Sequence, residues 1–411
     1  MPTSLTRNLL KATGLTRIGR LMDATRLIQR ALLGNTPAAR PQRKPVFNAT
    51  GDSRADRTAN SKAGSTSKST AKTVFGTKAD TIILPWPGSA VQPAAPGKIN
   101  EPAAPGSVGR QQPHPDFSEQ KFAFAGLTYP YRLFVPKLTD AGAQAAGRER
   151  MPLVVLLHGC KQDALDFSKG TAMNTLAGTE QCLVLYPEQI SRANAQMCWN
   201  WFEPGHQQEG TGEPGMIAAL TRQVLATDFN GRRADPARVY IAGLSAGGAM
   251  AAVVAGLHPE LFTALGVHSG LPAGAATNIL TAFRAMRSGG QGQGASALPT
   301  IVFHGDSDTT VHPSNGENIA GDALAALNKA RPALTKTQTS SYPKGDRADR
   351  NDKPLERTRY VNEADKSFVE YWSINNGPHA WSGGSKEGSY TDPDGPSASK
   401  AMLAFFLQHK K

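Results

Sequence analysis

A serine between glycines marks the part of the sequence best suited to covalent chemistry. Residues 243–247 read GLSAG, directly after the apolar run VYIA and directly before the stretch GAMAAVVAGL. The run predicts a strand over 238–242, and the stretch predicts a helix over 246–257. In the nucleophile elbow, G-x-S-x-G forms a sharp strand–helix turn that exposes the serine hydroxyl. We therefore expect Ser245 to be a nucleophile; an ordinary strand–helix turn is the alternative.

A serine nucleophile needs a base, and His379 is in the right place to be one. In the elbow arrangement the chain order is serine, acid, histidine. His379 lies in INNGPHAWSGG, a glycine-rich loop between the last predicted strand and the last predicted helix. The other histidines fit less well, because His268 and His304 lie in or just after strands and His409 is expected in a fraying tail. We expect His379 to be the base.

Two aspartates compete for the acid that orients this histidine. The segment HGDSDTTVHP contains Asp306 and Asp308 after a predicted strand. Asp306 directly follows the strand-ending Gly305 and is suited to capping the turn. Asp308 lies further into the loop, where it could reach His379 and hold its tautomer. We favour Asp308 and keep Asp306 as the alternative.

An oxyanion hole would need two backbone N–H donors. One is expected from Ala246, the residue after the serine, and the other from the loop after the third strand, which reads His158-Gly159-Cys160. We choose the N–H of Cys160. Its thiol is not needed as a nucleophile, since no partner base is identifiable near it.

Short apolar runs and helical stretches alternate over the rest of the C-terminal part. This alternation predicts an α/β fold with a mostly parallel, doubly wound sheet. A further segment, 122–136, predicts two edge strands joined by a turn at Gly126. The predicted strands are PLVVLLHG (152–159), CLVLYP (182–187), RVYIA (238–242), ALGVHSG (264–270), PTIVFHGDSD (299–308) and KSFVEYWSI (366–374), and the predicted helices cover 212–229, 246–257 and 395–410.

The N-terminal part has a different composition. The chain of 411 residues carries a net charge of +12, and residues 1–80 hold 15 Lys/Arg against 4 Asp/Glu. We predict a basic amphipathic helical segment over 1–34, a disordered Pro/Gly/Ser/Thr-rich linker over 35–115, and the catalytic domain over 116–411. The helical segment could contact a partner or a membrane surface, with solvated charge as the simpler alternative. Nucleic acid is not expected, because interleaved aromatic residues are missing.

Five motifs in the C-terminal part resemble a known family when taken in order. They are LLHGCKQDALDF, LVLYPEQ, CWNWF, VYIAGLSAGGAM and FHGDSDTTVHP. They resemble the catalytic domain of the poly(3-hydroxybutyrate) depolymerase-like serine esterases, which are similar to feruloyl and acetylxylan esterases. The resemblance covers about 120–408 and implies an α/β-hydrolase fold and a serine esterase mechanism without metal or organic cofactor. It assigns the same five site residues as the motif reasoning above.

The resemblance also bears on the three cysteines, whose spacing alone allows one disulfide or three reduced thiols. It implies that Cys160 pairs with Cys198 and that Cys182, in a buried strand, is a free thiol. It further implies an exported, extracellular protein. No secretory signal peptide is recognisable, so a cytoplasmic location is the alternative.

Three tryptophans are candidates for contact with substrate. Trp199 and Trp201 come shortly after Cys198, and Trp381 follows His379 by two residues. They could form apolar walls for a hydroxyalkanoate or aryl acyl group. Alternatively, one of the first two packs in the core and Trp381 braces its loop.

Together these features predict a serine esterase that hydrolyses carboxylic esters of poly- or oligo-(3-hydroxybutyrate) or of short-chain hydroxyalkanoates. One alternative is a feruloyl or acetylxylan esterase. An alternative of another class is a non-catalytic binding protein on a hydrolase scaffold.

Overall fold

The computed structural model describes residues 117–137, 150–331, 334–342 and 353–411. The predicted helical segment over 1–34 and the predicted linker over 35–115 lie outside the described residues.

One large sheet organises the described residues. Its ten strands follow the order β1-β2-β4-β3-β5-β6-β7-β10-β9-β8, and β11 and β12 form a separate pair. The strands are β1 (Glu119–Phe124), β2 (Leu127–Phe134), β3 (Arg150–Leu157), β4 (Leu183–Pro187), β5 (Arg233–Leu244), β6 (Ala264–His268), β7 (Thr300–Gly305), β8 (Thr335–Tyr342), β9 (Leu355–Val361), β10 (Ser367–Ile374), β11 (Trp381–Ser382) and β12 (Thr391–Asp392).

Helices cover both faces of this sheet. They are α1 (Ala164–Thr171), α2 (Met173–Thr179), α3 (Gly212–Ala226), α4 (Ala246–Leu257), α5 (Ile279–Ser288), α6 (Ser314–Ala330) and α7 (Ala398–Leu407), with a 3₁₀ turn at Pro204–His206. Within the described ranges, no helix combines the length and apolar character needed to cross a bilayer.

The centre of the sheet is parallel and its margins are antiparallel. Strands β4, β3, β5, β6, β7 and β10 pair in parallel, whereas β1–β2, β2–β4, β10–β9 and β9–β8 are antiparallel. The central strands are the continuous apolar runs of the sequence, as expected for strands buried on both faces. This confirms the predicted mostly parallel, doubly wound α/β fold.

Two hydrophobic cores lie on opposite faces, and β3 shows why. Because successive side chains of a strand point to opposite faces, Leu153, Val155 and Leu157 join one core while Val154 and Leu156 join the other. Helices α3, α4 and α6 cover the first core, and α1, α2 and α7 cover the second. The sheet therefore lies between two layers of helices, and loops lie at the carboxyl ends of its parallel strands.

The edge hairpin forms as predicted. Strands β1 and β2 pair with Phe124 opposite Leu127, so Ala125 and Gly126 form a two-residue turn. Both turn residues have positive φ, 49° and 77° respectively. A hairpin turn of this length requires such angles, and glycine adopts them without steric cost.

Strands β8 and β9 were not predicted, because their sequences lack an apolar run. β9 reads LERTRYV, and only its first and last residues are buried. Its polar side chains find partners on β10: the Arg357 guanidinium binds the Glu370 carboxylate at 2.8 Å and lies over the Trp372 ring at 4.7 Å. The charged Arg357 side chain can lie on this part of the sheet because the Glu370 carboxylate binds its guanidinium.

The expectation of a fraying tail at His409 was wrong. His409 is 2% exposed and packs against the rings of Phe368 and Phe405. Its backbone carbonyl also accepts a hydrogen bond of 2.8 Å from the Tyr240 hydroxyl. The apolar side chains of α7 pack in the second core, and this packing holds the C-terminal residues against the domain.

Candidate active site

Ser245 lies on a strained turn between β5 and α4. Its backbone has φ 56° and ψ −120°, a conformation that a residue with a Cβ rarely adopts. The Ser245 N–H donates to the carbonyl of His268 at 2.9 Å, which ties the turn to β6. Gly247 is required two residues later, since a Cβ there would overlap the carbonyl oxygens of Leu157 and His158. The tight approach of α4 to β3 thus explains the small residues of GLSAG.

The imidazole of His379 joins the serine to an acid. Its Nε2 lies 2.9 Å from Ser245 Oγ, and its Nδ1 lies 2.7 Å from Asp308 Oδ2. Because an ionised carboxylate can only accept, Nδ1 carries the proton and donates to Asp308. Nε2 is then free to accept the proton of the Ser245 hydroxyl. This arrangement can deprotonate a serine as it attacks a carbonyl carbon.

Asp308 is held as a carboxylate by several donors. Its Oδ1 accepts the N–H groups of Thr310 and Val311, both at 2.9 Å. The buried His304 Nε2 lies 3.4 Å from Oδ2. Burial alone would raise the pKa of the Asp308 carboxyl, but the hydrogen bonds from His304, His379 and Val311 hold it well below its usual range. Asp308 therefore stays charged and keeps the His379 tautomer fixed.

Asp306 serves the same loop differently. Its Oδ1 accepts the backbone N–H of Asn376 at 2.6 Å and the hydroxyl of Ser307 at 3.0 Å. It thus caps the loop that carries His379, while Asp308 alone of the two aspartates bonds to the imidazole. The structure brings the favoured aspartate, and not the alternative, to the histidine.

Strand order explains why residues so far apart in sequence converge. Ser245 follows β5, Asp308 follows β7 and His379 follows β10, and these strands run parallel, so their carboxyl ends share one edge of the sheet. The loops after β7 and β10 also touch closely: a Cβ on Gly305 would overlap the backbone of Gly377. Glycine at this contact allows the loops that carry Asp308 and His379 to lie side by side.

Two backbone N–H groups near the serine are free to bind an anion. Neither the Cys160 N–H nor the Ala246 N–H has a hydrogen-bond partner among the described residues. Ala246 is the first residue of the 12-residue α4, whose N-terminus has no side-chain cap. A helix N-terminus with free N–H groups attracts negative charge.

The sequence of this region matches a family of esterases. Residues 131–333 match the family model described as Esterase PHB depolymerase. This part of the chain is therefore similar to that family.

Two curated relatives illustrate the family. Poly(3-hydroxyalkanoate) depolymerase C from Paucimonas lemoignei is 35% identical over 179 residues, which cover 40% of this chain and 42% of that protein. Feruloyl esterase B from Neurospora crassa is 33% identical over 120 residues, which cover 29% of this chain and 39% of that protein. The chain thus spans less than half of the length of either relative.

The fold has a counterpart among solved structures. An acetyl xylan esterase from Aspergillus awamori superimposes with a TM-score of 0.51 and 17% sequence identity, covering 71% of this chain and 99% of that one. The architecture is that of the α/β-hydrolase fold.

The loop after β3 is anchored by a disulfide. Cys160 and Cys198 are joined, and Cys182 is a buried free cysteine, as the resemblance implied. Burial raises the pKa of the Cys182 thiol to about 12, which keeps it protonated and unreactive.

The three tryptophans lie in the interior and not on an open wall. Trp199, Trp201 and Trp381 are 0%, 4% and 1% exposed. The Trp199 indole N–H donates to the carbonyl of His158 at 3.1 Å, and that of Trp381 donates to Ser399 Oγ at 3.0 Å. The indoles of Trp199 and Trp381 thus brace loops beside the site, since their rings are buried and their N–H groups are bonded. The expectation that these tryptophans form an apolar wall for the substrate was therefore wrong, because side chains buried to this extent offer no surface to a substrate.

Sequence reasoning missed a buried polar cluster beneath the Cys198 loop, centred on Glu213. The Glu213 carboxylate accepts from Asn200 N at 2.7 Å, from Asn200 Nδ2 at 2.6 Å and from Gln189 Nε2 at 2.5 Å. Burial raises the pKa of Glu213 to about 7, against the opposing effect of these hydrogen bonds. A signal was available, since Glu213 shares the buried stripe of α3 with Ile217 and Val224.

His158 was also missed as an anchor of the same loop. Its Nδ1 donates to the carbonyl of Gly159 at 2.7 Å, and its Nε2 accepts the N–H of Gln189 at 3.0 Å. Burial lowers the pKa of His158 to about 4, so the imidazole is neutral and its tautomer is set by these two partners. The described residues contain no group of three or more His, Cys, Asp and Glu side chains able to hold a metal ion.

Proposed function

We propose that this chain is a serine hydrolase of carboxylic esters. The observation that carries the proposal is the unbroken line of hydrogen bonds from Asp308 through His379 to Ser245, with its 2.7 Å and 2.9 Å separations. A buried carboxylate, an oriented imidazole and a hydroxyl on a strained turn are the parts of an acyl-transfer site. A binding protein on the same scaffold would have no need of all three in bonding contact.

The reaction proceeds in two halves. His379 Nε2 takes the proton of Ser245 Oγ as the oxygen attacks the ester carbonyl carbon, and the resulting imidazolium is stabilised by Asp308. It then gives the proton to the leaving alcohol, which departs as the acyl-serine forms. Water, deprotonated by the same nitrogen, attacks the acyl-serine, and collapse of that adduct returns the proton to Ser245.

The Cys160 and Ala246 N–H groups hold the oxyanion in both tetrahedral intermediates. Their lack of other partners supports this assignment, since a donor already bonded to protein could not move to the oxyanion without cost. The free N-terminus of α4 adds a positive end beside the same oxygen.

As substrate we propose oligomers or polymers of 3-hydroxybutyrate or related short-chain hydroxyalkanoates. Two similarities support this substrate class: the one to poly(3-hydroxyalkanoate) depolymerase C, and the match of residues 131–333 to the Esterase PHB depolymerase family model. The second candidate is a feruloyl or acetylxylan ester, which the similarity to feruloyl esterase B favours.

We further propose that the domain folds in an oxidising, extracellular compartment. The Cys160–Cys198 disulfide supports this, because disulfides rarely persist where thiols are kept reduced.

An ester panel on the full chain tests the function. We expect hydrolysis of p-nitrophenyl butyrate and of 3-hydroxybutyrate oligomers, with weaker hydrolysis of methyl ferulate and acetylated xylan. In Ser245→Ala the turnover number kcat should fall by about 10⁴- to 10⁶-fold, as in other serine triads. Faster hydrolysis of ferulate or xylan acetate would select the second candidate, and turnover retained by Ser245→Ala would overturn the proposal.

A further inference from the structure

The side chain of Gln162 is buried and uses its amide fully. It is 1% exposed, and its Oε1 accepts the backbone N–H of Gly159 at 2.9 Å. Its Nε2 donates to Asp166 Oδ2 at 2.9 Å and to the carbonyl of Ser389 at 3.0 Å. Because the Gly159 N–H can only donate and the other two groups only accept, the amide has one orientation.

Gln162 thereby links two segments that are distant in sequence. Gly159 belongs to the loop after β3 that presents the Cys160 N–H, whereas Ser389 belongs to the loop between β11 and β12. Asp166 of α1 completes the link, since its carboxylate accepts the N–H of Ser389 at 2.8 Å and the hydroxyl of Ser389 at 2.6 Å. β11 begins two residues after His379, so one amide connects the loop after β3 to the segment that follows the His379 loop.

The main chain of Gln162 acts on the next peptide, which joins Gly159 to Cys160. Its N–H donates to the carbonyl of Gly159 at 3.3 Å, where the His158 Nδ1–H also donates at 2.7 Å. The C=O and N–H of a trans peptide point in opposite directions. Anchoring the Gly159 oxygen therefore directs the N–H of Cys160 the other way and keeps it clear of these donors.

We infer that Gln162 is a positioning residue that fixes the direction of the Cys160 N–H and ties its loop to the β11–β12 loop. It touches no reacting atom; its side chain holds the N–H of the His158–Gly159 peptide, and its main-chain N–H holds the oxygen of the next peptide, Gly159–Cys160. This inference rests on the proposed ester hydrolysis, in which that N–H binds the oxyanion.

Two substitutions of similar length separate positioning from packing. Gln162→Glu replaces the donor Nε2 by an oxygen, which at pH 8 carries charge against the Asp166 carboxylate and the Ser389 carbonyl. Lowering the pH protonates the new carboxyl, which can then donate to Asp166 and accept from Gly159. Gln162→Met removes both hydrogen-bonding ends and has no proton to gain. Gln408→Glu, the same change on an exposed side chain of α7's C-cap, is the matched control.

The assay is hydrolysis of p-nitrophenyl butyrate by the full chain from pH 8 to pH 5.5. At pH 8 we expect kcat of both Gln162 variants to fall about 10- to 100-fold with KM within threefold, since a misdirected oxyanion donor costs less than a deleted one. The Ki of a butyl trifluoromethyl ketone, which mimics the tetrahedral adduct, should rise by the factor that kcat/KM falls. Relative to wild type, Gln162→Glu should recover towards pH 5.5, whereas Gln162→Met should not.

The contrary results are equally specific. Gln162→Met with kcat within twofold of wild type, or losses confined to KM with the Ki unchanged, would overturn the inference and leave ester hydrolysis intact. Melting temperatures identify any variant that does not fold. In that case Asp166→Ala, at the part-exposed end of the network, replaces the variant that does not fold. The same kcat, KM and Ki values are measured for it, and we expect a smaller loss in kcat. A wild-type chain that hydrolyses no ester would overturn both the function and the inference.

Discussion

The two sides of the site are built by different means. On one side, Ser245, Asp308 and His379 follow three parallel strands, so the sheet itself brings them together. On the other side, the loop that presents the Cys160 N–H has no regular structure and is held by a disulfide, by His158 and by a buried amide. The first side depends on backbone topology, and the second depends on individual side chains.

This difference predicts different responses to mutation. A change on the strand side removes a group of the proposed triad from an otherwise intact scaffold, so activity should fall sharply and stability little. A change on the loop side should move stability and activity together, in graded amounts. The predictions below test that contrast, beginning with the largest effect.

His379→Ala should give the largest loss. Without the imidazole no base takes the serine proton, so kcat for p-nitrophenyl butyrate should fall by about 10⁴- to 10⁶-fold. The melting temperature should change little, because His379 lies in a loop and is partly exposed. A loss below tenfold would mean that another base serves Ser245.

Asp308→Asn should come next, with Asp306→Asn as its matched control. The amide cannot hold the Nδ1–H tautomer as a carboxylate does, so kcat should fall by about 10⁴-fold. Asp306 caps a backbone N–H and does not bond to the imidazole, so its variant should lose less than about tenfold. The assay is steady-state kinetics of both variants at one pH, and equal losses would contradict the assignment of the acid.

Removing the disulfide tests the loop side. In the double variant Cys160→Ser/Cys198→Ser the free energy of unfolding should fall by about 2–4 kcal/mol, because the unfolded chain is no longer cross-linked. Denaturant unfolding with and without reductant measures this. Cys182→Ser, which leaves the disulfide in place, should keep the sensitivity to reductant that the double variant loses. A double variant as stable as wild type would show that the disulfide does not stabilise this side of the site.

Glu213 predicts the smallest effect, a dependence of stability on pH. Its folded pKa of about 7 lies above the usual value of 4.5. As pH rises from about 4.5 to about 7, the unfolded carboxyl loses its proton while the buried one keeps it, so the free energy of unfolding should fall, by at most about 3 kcal/mol. Below that window the contribution is fully present, and above it the contribution is lost.

Variants isolate this contribution from other titrations. Glu213→Gln cannot titrate, so its unfolding free energy should decline less than that of wild type between pH 4.5 and pH 7. Glu209→Gln, on the exposed turn before α3, should follow the wild-type curve. Parallel curves for wild type and Glu213→Gln would show that Glu213 keeps an ordinary pKa in the folded state.

The residues that meet on the strand side could be located from the sequence, for a physical reason. Buried parallel strands are continuous apolar runs, and the elbow has a steric signature in Gly243 and Gly247, so strand ends and the loops after them can be located directly. The order serine, acid, histidine then narrows the choice to a few residues. The choice between Asp306 and Asp308 required the structure, because the two aspartates share one loop and differ in which partner their side chains reach.

The loop side could not be predicted in the same way. The roles of Gln162 and Glu213 arise from contacts with residues far along the chain, such as Ser389 for the first, and no local periodicity encodes them. The tryptophans illustrate the same limit. Their types and positions suited a substrate wall, but whether an indole faces solvent or the core is set by packing that the sequence pattern does not reveal.

Covalent labelling of Ser245 tests the central claim most directly. The full chain is treated with a fluorophosphonate at neutral pH, and the adduct is located by peptide mass spectrometry. We predict a single adduct on Ser245, formed as esterase activity is lost and at least about 10³-fold more slowly in His379→Ala. Loss of activity without an adduct on Ser245, or equally fast labelling in His379→Ala, would contradict the account.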